Sequence, residues 1–385
     1  MPSFRLEQYF AAWEFTAKFN LAASDLETRR ISDLLAVATD EDREAFNDLA
    51  LGYTPTWGGD HLREAIASTY ATLSADEVLV FAGAEEAIFW AMQVLSGPND
   101  HVIMTVPNYQ SMETVPLRTG AQVSGVVLDS AQGWRLDLDE VRRAWRPNTS
   151  LVAVNFPNNP TGALPDQQTW RELVDLCVER GVRLFSDEVY RGLEPEPSLT
   201  LPQAADMHPA AVSLNVLSKS FGLAGLRIGW VATHDHGLLE ELERHKHYTT
   251  MCNSGPSEAL ATIAIKAREE IWASNRQRIS SNRPLFDDFF EQHVELFDWS
   301  PPQAGCVTFP RYLGRNGVDA MTAELVEQAG VLLLPASLFR SDLAPVPGDR
   351  FRIGLGRRGA EEALAAFDGF LRARSTHRIG ADRRG

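Results

Sequence analysis

Cysteine is scarce in this sequence: three residues in 385, Cys177, Cys252 and Cys306, far apart and with no CxxC pair. That excludes a disulfide framework and a cysteine-based zinc cluster, and it suits a reducing compartment. Long apolar runs are missing too. No stretch approaches the roughly 18 residues that a membrane helix needs, and Met1 to Phe15 is interrupted by Arg5, Glu7 and Glu14, which leaves no continuous signal-peptide core. The cytoplasm is the expected compartment. Basic charge is in deficit, with 36 Lys plus Arg against 52 Asp plus Glu and a formal net charge of −16. Nucleic acid and anionic membrane are therefore not expected partners, because phosphate surfaces are held by clustered Lys and Arg. An anionic ligand would have to meet positive charge locally. The chain also lacks both GxGxxG and GxxxxGK[ST], which removes the best support for dinucleotide or ATP chemistry.

What is present is a globular composition, 44% hydrophobic with ordinary glycine and proline usage. From residue 78 to 233 short apolar, β-branched runs alternate with helical patterns: Val78 to Ala82, His101 to Val106, Gln122 to Leu128, Leu151 to Phe156, Val182 to Phe185, Val212 to Leu217 and Ile228 to Thr233. This rhythm predicts an α/β fold with a mostly parallel seven-stranded sheet flanked by helices. Between the runs, Trp170, Leu173, Val174, Cys177 and Val178 fall at helical spacing before Gly181, so Cys177 belongs to a buried stripe. Ala84 to Ser96 is similar, stopped by Gly97-Pro98. Beyond residue 255 long helical stretches precede apolar runs at Cys306 to Phe309, Val331 to Leu334 and Phe351 to Leu355, which suggests a second, α+β unit. The expected division is a large domain over 46–279, a smaller one from 1–45 with 280–374, and a polar tail at 375–385.

In parallel sheets ligands gather beyond the carboxyl ends of the strands. The first run ends in Gly83-Ala84-Glu85, a turn into a helix whose free N–H groups could hold a phosphate, or a mere strand-to-helix turn. The second ends in Pro107-Asn108-Tyr109, the fourth in Asn155-Phe156-Pro157-Asn158-Asn159-Pro160-Thr161-Gly162, and the fifth in Asp187-Glu188-Val189-Tyr190. A carboxylate at the end of an apolar strand is costly unless it meets positive charge. Most informative is Ser218-Lys219, followed by a Gly-rich stretch to Arg227-Ile228-Gly229. A lysine at the end of a buried strand is desolvated, and its lowered pKa suits Schiff-base chemistry.

Together these segments, from Tyr53-Thr54-Pro55-Thr56-Trp57-Gly58 to Phe351-Arg352-Ile353-Gly354, resemble the pyridoxal-phosphate-dependent aminotransferases of fold type I, class I/II. The resemblance implies pyridoxal 5'-phosphate as cofactor, Lys219 as the Schiff-base lysine and acid/base, and Asp187 as the partner that keeps the pyridine nitrogen protonated. It implies Asn159 and Tyr190 on the phenolic oxygen and Tyr109 stacked on the ring. Gly83, Ala84 and Glu85 amides, Ser218, Arg227 and a neighbouring subunit's Tyr53 would hold the phosphate. Arg352 would pair with the substrate carboxylate, and Trp57, with Asn253 of a neighbour, would edge the pocket. A site shared in this way implies a homodimer acting on an amino acid and a 2-oxo acid. Two positions depart from the common pattern: Val216 replaces a hydroxyl three residues before the lysine, and Ala22 to Asp25 lacks the usual glycine.

The leading expectation is transfer of an α-amino group from an L-amino acid to a 2-oxo acid. Thr308-Phe309-Pro310-Arg311, with Asn155-Phe156-Pro157 and Ser218-Lys219, is also similar to capreomycidine-synthase-like cyclases acting on hydroxylated arginine. Regulators with an aminotransferase-like sensor domain carry an additional basic DNA-binding domain. Here the fold is expected to begin within the first few dozen residues, and the net charge is negative. His234-Asp235-His236 and His245-Lys246-His247 lack an obvious third ligand, so no metal is expected.

Overall fold

The structure is a computed structural model that describes residues 1–382, with side chains to residue 374. The expected tail at 375–385 therefore lies outside the residues with described side chains, and 383–385 lie outside the described chain altogether. Seven strands form the central sheet: β1 (Val78–Phe81), β2 (His101–Val106), β3 (Gln122–Val127), β4 (Thr149–Asn155), β5 (Arg183–Asp187), β6 (Val212–Val216) and β7 (Gly229–Ala232). Each corresponds to one of the seven apolar runs. Their order across the sheet is β1-β7-β6-β5-β4-β2-β3.

Strand β7 alone runs against the others, antiparallel to both β1 and β6. The cause is the connection before it. Residues 217–228 contain only a short 3-10 turn at Ala224–Leu226, and a parallel return would need a crossover, usually a helix. The chain instead doubles back, so Ser218, Lys219 and Arg227 stay at the same end of the sheet.

Helices cover both faces. The pattern around Cys177 forms a helix at Gln167–Arg180, capped by Asp166 on the Thr169 amide and ended by Gly181 in the left-handed region. Cys177 is fully buried, and desolvation lifts its thiol to about 12. The helix after β1 spans Ala84–Val94, two residues short of the expected end.

A helix of 25 residues, Arg268–Gln292, links two apolar cores. Its Ile271 joins the core around Trp230 and Ile263, whereas Phe286, Phe289 and Phe290 pack with Phe297, Phe351 and Phe367. That second core brings the chain ends together: Phe19–Asn20 pairs in parallel with Val331–Leu332, and Leu21 packs within it. Its strand β10 (Phe351–Gly354) lies between β8 (Val307–Thr308) and β9 (Leu334–Pro335), antiparallel to both. Among the described residues no helix is long and apolar enough to cross a membrane.

Candidate active site

The carboxyl ends of the parallel strands open into a cavity of about 500 Å³. Its lining includes Ala84, Glu85, Tyr109, Asn159, Asp187, Tyr190, Ser218, Lys219 and Arg227. Nine of the side chains or segments singled out in the sequence thus meet in one place, although they come from six separate strand ends and loops.

Lys219 follows β6 inside the fold, with part of its side chain open to the cavity. Its Nζ donates to Ser24 Oγ at 2.9 Å. Burial lowers its pKa, partly opposed by Asp25, so the amine releases its proton more readily than a surface lysine does. Asp187 closes β5 and is 4% exposed. Desolvation raises its carboxyl from the ordinary 3.8 to about 7, against the pull of the Val189 amide and of Lys219. Tyr190 is 1% exposed, and its hydroxyl has no hydrogen-bond partner.

At one end of the cavity β1 turns into the helix at Ala84 through Gly83, which has φ +94°. A Cβ at Gly83 would collide with the Arg227 guanidinium. The backbone angle favours glycine here, and any Cβ would also have to push the guanidinium aside. Arg227, itself left-handed at φ +51°, reaches Ser218 Oγ at 3.4 Å and Ala82 O at 3.3 Å. A helix N-terminus, a hydroxyl and a guanidinium converge there, which is the chemistry of an anion site. Val216 also lines the cavity, so no hydroxyl stands at that position. Burial raises the Glu85 carboxyl to about 7, reinforced by Glu7 and Asp187, while Ser111 Oγ donates to it at 2.9 Å.

Five expected residues lie off the cavity wall. Arg352, on β10, is 1% exposed and sits behind Asn159, donating from Nη1 to Asn159 Oδ1 at 2.9 Å and from Nη2 to Ala22 O at 2.8 Å. Its Nε has no partner. Gly83 lies behind the helix start. Trp57 packs against the core containing Phe81 and Met104, and Tyr53 is 89% exposed. Asn253 is buried and accepts from Lys246 Nζ at 2.7 Å.

Other contributors escaped the sequence reading. Helix α1 (Arg5–Trp13) and its flanks bring Phe4, Glu7, Phe10 and Glu14 to the cavity. Their intervals of three, three and four residues mark one helical face, a signal that was readable but had no known destination. Ser24 and Asp25, from the segment already noted as departing from the family pattern, and Asn155, already noted at the end of β4, also line it. Asn155 Oδ1 accepts the Asn159 amide at 2.8 Å and so fixes that loop. The paired histidines lie elsewhere: His234 meets Glu77, His245 stacks on Trp90, and His247 faces Glu243. No group of three metal-ligating side chains occurs among the described residues.

A family model described as aminotransferase class I and II matches residues 16–367. Capreomycidine synthase from Streptomyces vinaceus is 29% identical, over 100% of this chain and 96% of the relative. A PLP-dependent aminotransferase from Streptococcus suis is 27% identical with a TM-score of 0.88, covering 97% of this chain and 98% of that one. The PLP-dependent cyclase OrfR is 26% identical with a TM-score of 0.87, again over 97% and 98%.

Proposed function

This chain belongs to the aminotransferase class I and II family and has pyridoxal 5'-phosphate as its cofactor, and from that premise we propose that it transfers the α-amino group of an L-amino acid to a 2-oxo acid. The observation that carries this reading is the buried pair at the sheet edge, Lys219 with a lowered pKa and Asp187 with a raised one, facing a single cavity. Groups driven toward each other in pKa are suited to proton transfer near neutrality.

The residues fit the cofactor. Tyr190 lines the cavity with its hydroxyl buried and without a hydrogen bond, and the Gly83 turn brings Arg227 and Ser218 together with a helix N-terminus, a donor set suited to a phosphate. When bound, the cofactor supplies an electron sink for the pair left by breaking the Cα–H bond. Asp187 would keep the pyridine nitrogen protonated, and the gain of a cationic partner would offset the cost of its burial. Lys219 Nζ takes the proton from Cα and can return it from the same face. Tyr190 and Asn159 would hydrogen-bond the cofactor's phenolic oxygen, and Tyr109 would pack beside the ring. Arg352, behind Asn159 in this structure, would bind the α-carboxylate only after its Nη groups exchange Asn159 Oδ1 and Ala22 O for it. Tyr53, exposed in one chain, would complete the phosphate site of a second chain in a homodimer.

The same proton abstraction can lead to cyclisation. The similarity to capreomycidine synthase over the whole chain favours that second reading, a cyclase acting on a hydroxylated arginine. Product stoichiometry distinguishes them. For a transaminase, an L-amino acid alone gives at most one product per active site, and turnover resumes on addition of a 2-oxo acid. Sustained turnover of the amino acid with no oxo acid would replace the first reading by the second.

A further inference from the structure

One wall of the cavity has no part in the chemistry above. Phe4, Glu7, Phe10 and Glu14 present a face of helix α1 and its flanks to it, two carboxylates interleaved with two aromatic rings. The cavity's third carboxylate on this side, Asp25, is neutralised by Arg357 Nη2 at 2.7 and 2.8 Å. Glu7 and Glu14 make no ion pair of this kind, although Arg357 and Lys219 act on Glu14 at longer range. Glu7 accepts the Tyr109 hydroxyl at 3.2 Å, and neither glutamate has a cation within ion-pair distance among the described residues. Burial raises the Glu14 carboxyl, and repulsion from Asp25 and Glu7 adds to the shift. A negative wall with aromatic faces attracts a cation and repels an anion.

Tyr190, which lines the same cavity with its hydroxyl buried, is taken up by the cofactor reading above. The Arg227 end is suited to phosphate and the Arg352 side to the α-carboxylate, so the α1 wall is left for the substrate side chain. The geometry points to Glu7 and Glu14 as specificity determinants that select an L-amino acid with a cationic side chain, guanidinium or ammonium. This rests on the amino-acid reading of the site proposed above. The side chain would lie against Phe4 and Phe10 and place its charge between the two carboxylates. A cationic side chain would find counter-charges in Glu7 and Glu14, whereas a neutral one of equal length would gain no ion pair there, which is the source of discrimination.

The test compares L-arginine with L-citrulline, its neutral near-isostere, and L-lysine with L-norleucine. Equilibrium titration of the cofactor-loaded protein, followed by cofactor absorbance, gives Kd, and initial rates give kcat/KM. The wild-type protein should prefer a cationic member by on the order of 10- to 100-fold, the scale of one or two charge-assisted hydrogen bonds. Glu7→Gln and Glu14→Gln should each reduce that preference about tenfold. The preference is a ratio read on one sample, so a partly misfolded variant does not change it. A wild-type ratio near one in both pairs, or a ratio that neither variant moves, would overturn the assignment of α1 while leaving the amino-acid reading in place. If none of the four compounds, and no other L-amino acid, perturbs the cofactor absorbance, the amino-acid reading fails and the α1 assignment falls with it.

Discussion

Replacing Asp187 by Asn separates the cost of burying this carboxylate from its use. In the ligand-free protein its pKa rises from 3.8 to about 7, a difference of about 3 units, which is roughly 4 kcal/mol at ~1.4 kcal/mol per unit. Between those two values the folded chain holds a proton that the unfolded chain has released. The stabilisation from this group is therefore complete below pH 3.8 and is lost as pH rises through about 7. Asn has no charge to bury. The unfolding free energy of cofactor-free Asp187→Asn should thus gain on wild type by up to roughly 4 kcal/mol from about pH 4 to about pH 8, measured by denaturant titration at each pH. Glu85, also raised to about 7, titrates in both proteins and cancels from the difference to first order. Cofactor binding should reverse the ranking, because only the carboxylate can stabilise a protonated pyridine nitrogen. The variant should gain less stability from the cofactor and lose on the order of 10²-fold or more in turnover. Parallel pH profiles for the two cofactor-free proteins would refute the burial argument, and turnover within about tenfold of wild type would refute the role.

Lys219→Ala should abolish any borohydride-stable attachment of the cofactor, read by mass spectrometry, and should lower turnover by about 10²- to 10⁴-fold or more. An adduct surviving in that variant would move the nucleophile to another residue. Arg352→Lys keeps the charge but loses the planar fork, and the loss should be on the order of 2–4 kcal/mol, or roughly 30- to 1,000-fold in kcat/KM. It should spare an amine without the carboxylate, provided wild type processes one. Equal losses on both substrates would assign Arg352, with its bonds to Asn159 and Ala22, to support of the fold.

The strands were legible because each is a short apolar run bounded by turn residues, and Lys219 and Asp187 stood out as charges at their ends. The reversal of β7 was less visible: its apolar run matches the parallel strands, and only the shortness of 217–228 distinguishes it. Contacts between distant segments were not legible at all. Ser24 meets Lys219 across 195 residues and Arg352 meets Asn159 across 193, and no local periodicity encodes such pairs. Ala22 to Asp25 did attract notice as a departure from the family pattern, but what the departure puts beside the lysine needed the fold. Helix α1 illustrates the same limit, since an aromatic and acidic stripe reads equally well as an ordinary surface helix until its neighbour is known.

A chain with a net charge of −16 still builds a site for an anion because β1 and β7 are paired end to start. Phe81 lies opposite Gly229, so the helix N-terminus that follows β1 and the arginine that precedes β7 are forced together. The approach is so close that a Cβ at Gly229 would meet the Gly83 carbonyl carbon at 2.8 Å. Positive potential is thereby concentrated at one end of the cavity by backbone geometry, without a surplus of basic residues. The acidic face of α1 lines the same cavity. Such a gradient would orient a bound molecule before any covalent contact, with its anionic group toward Arg227 and any cationic group toward Glu7 and Glu14. The excess of negative charge elsewhere does not weaken this arrangement, since exposed charges beyond about 8–10 Å are largely screened at physiological salt whereas groups inside the cavity are not.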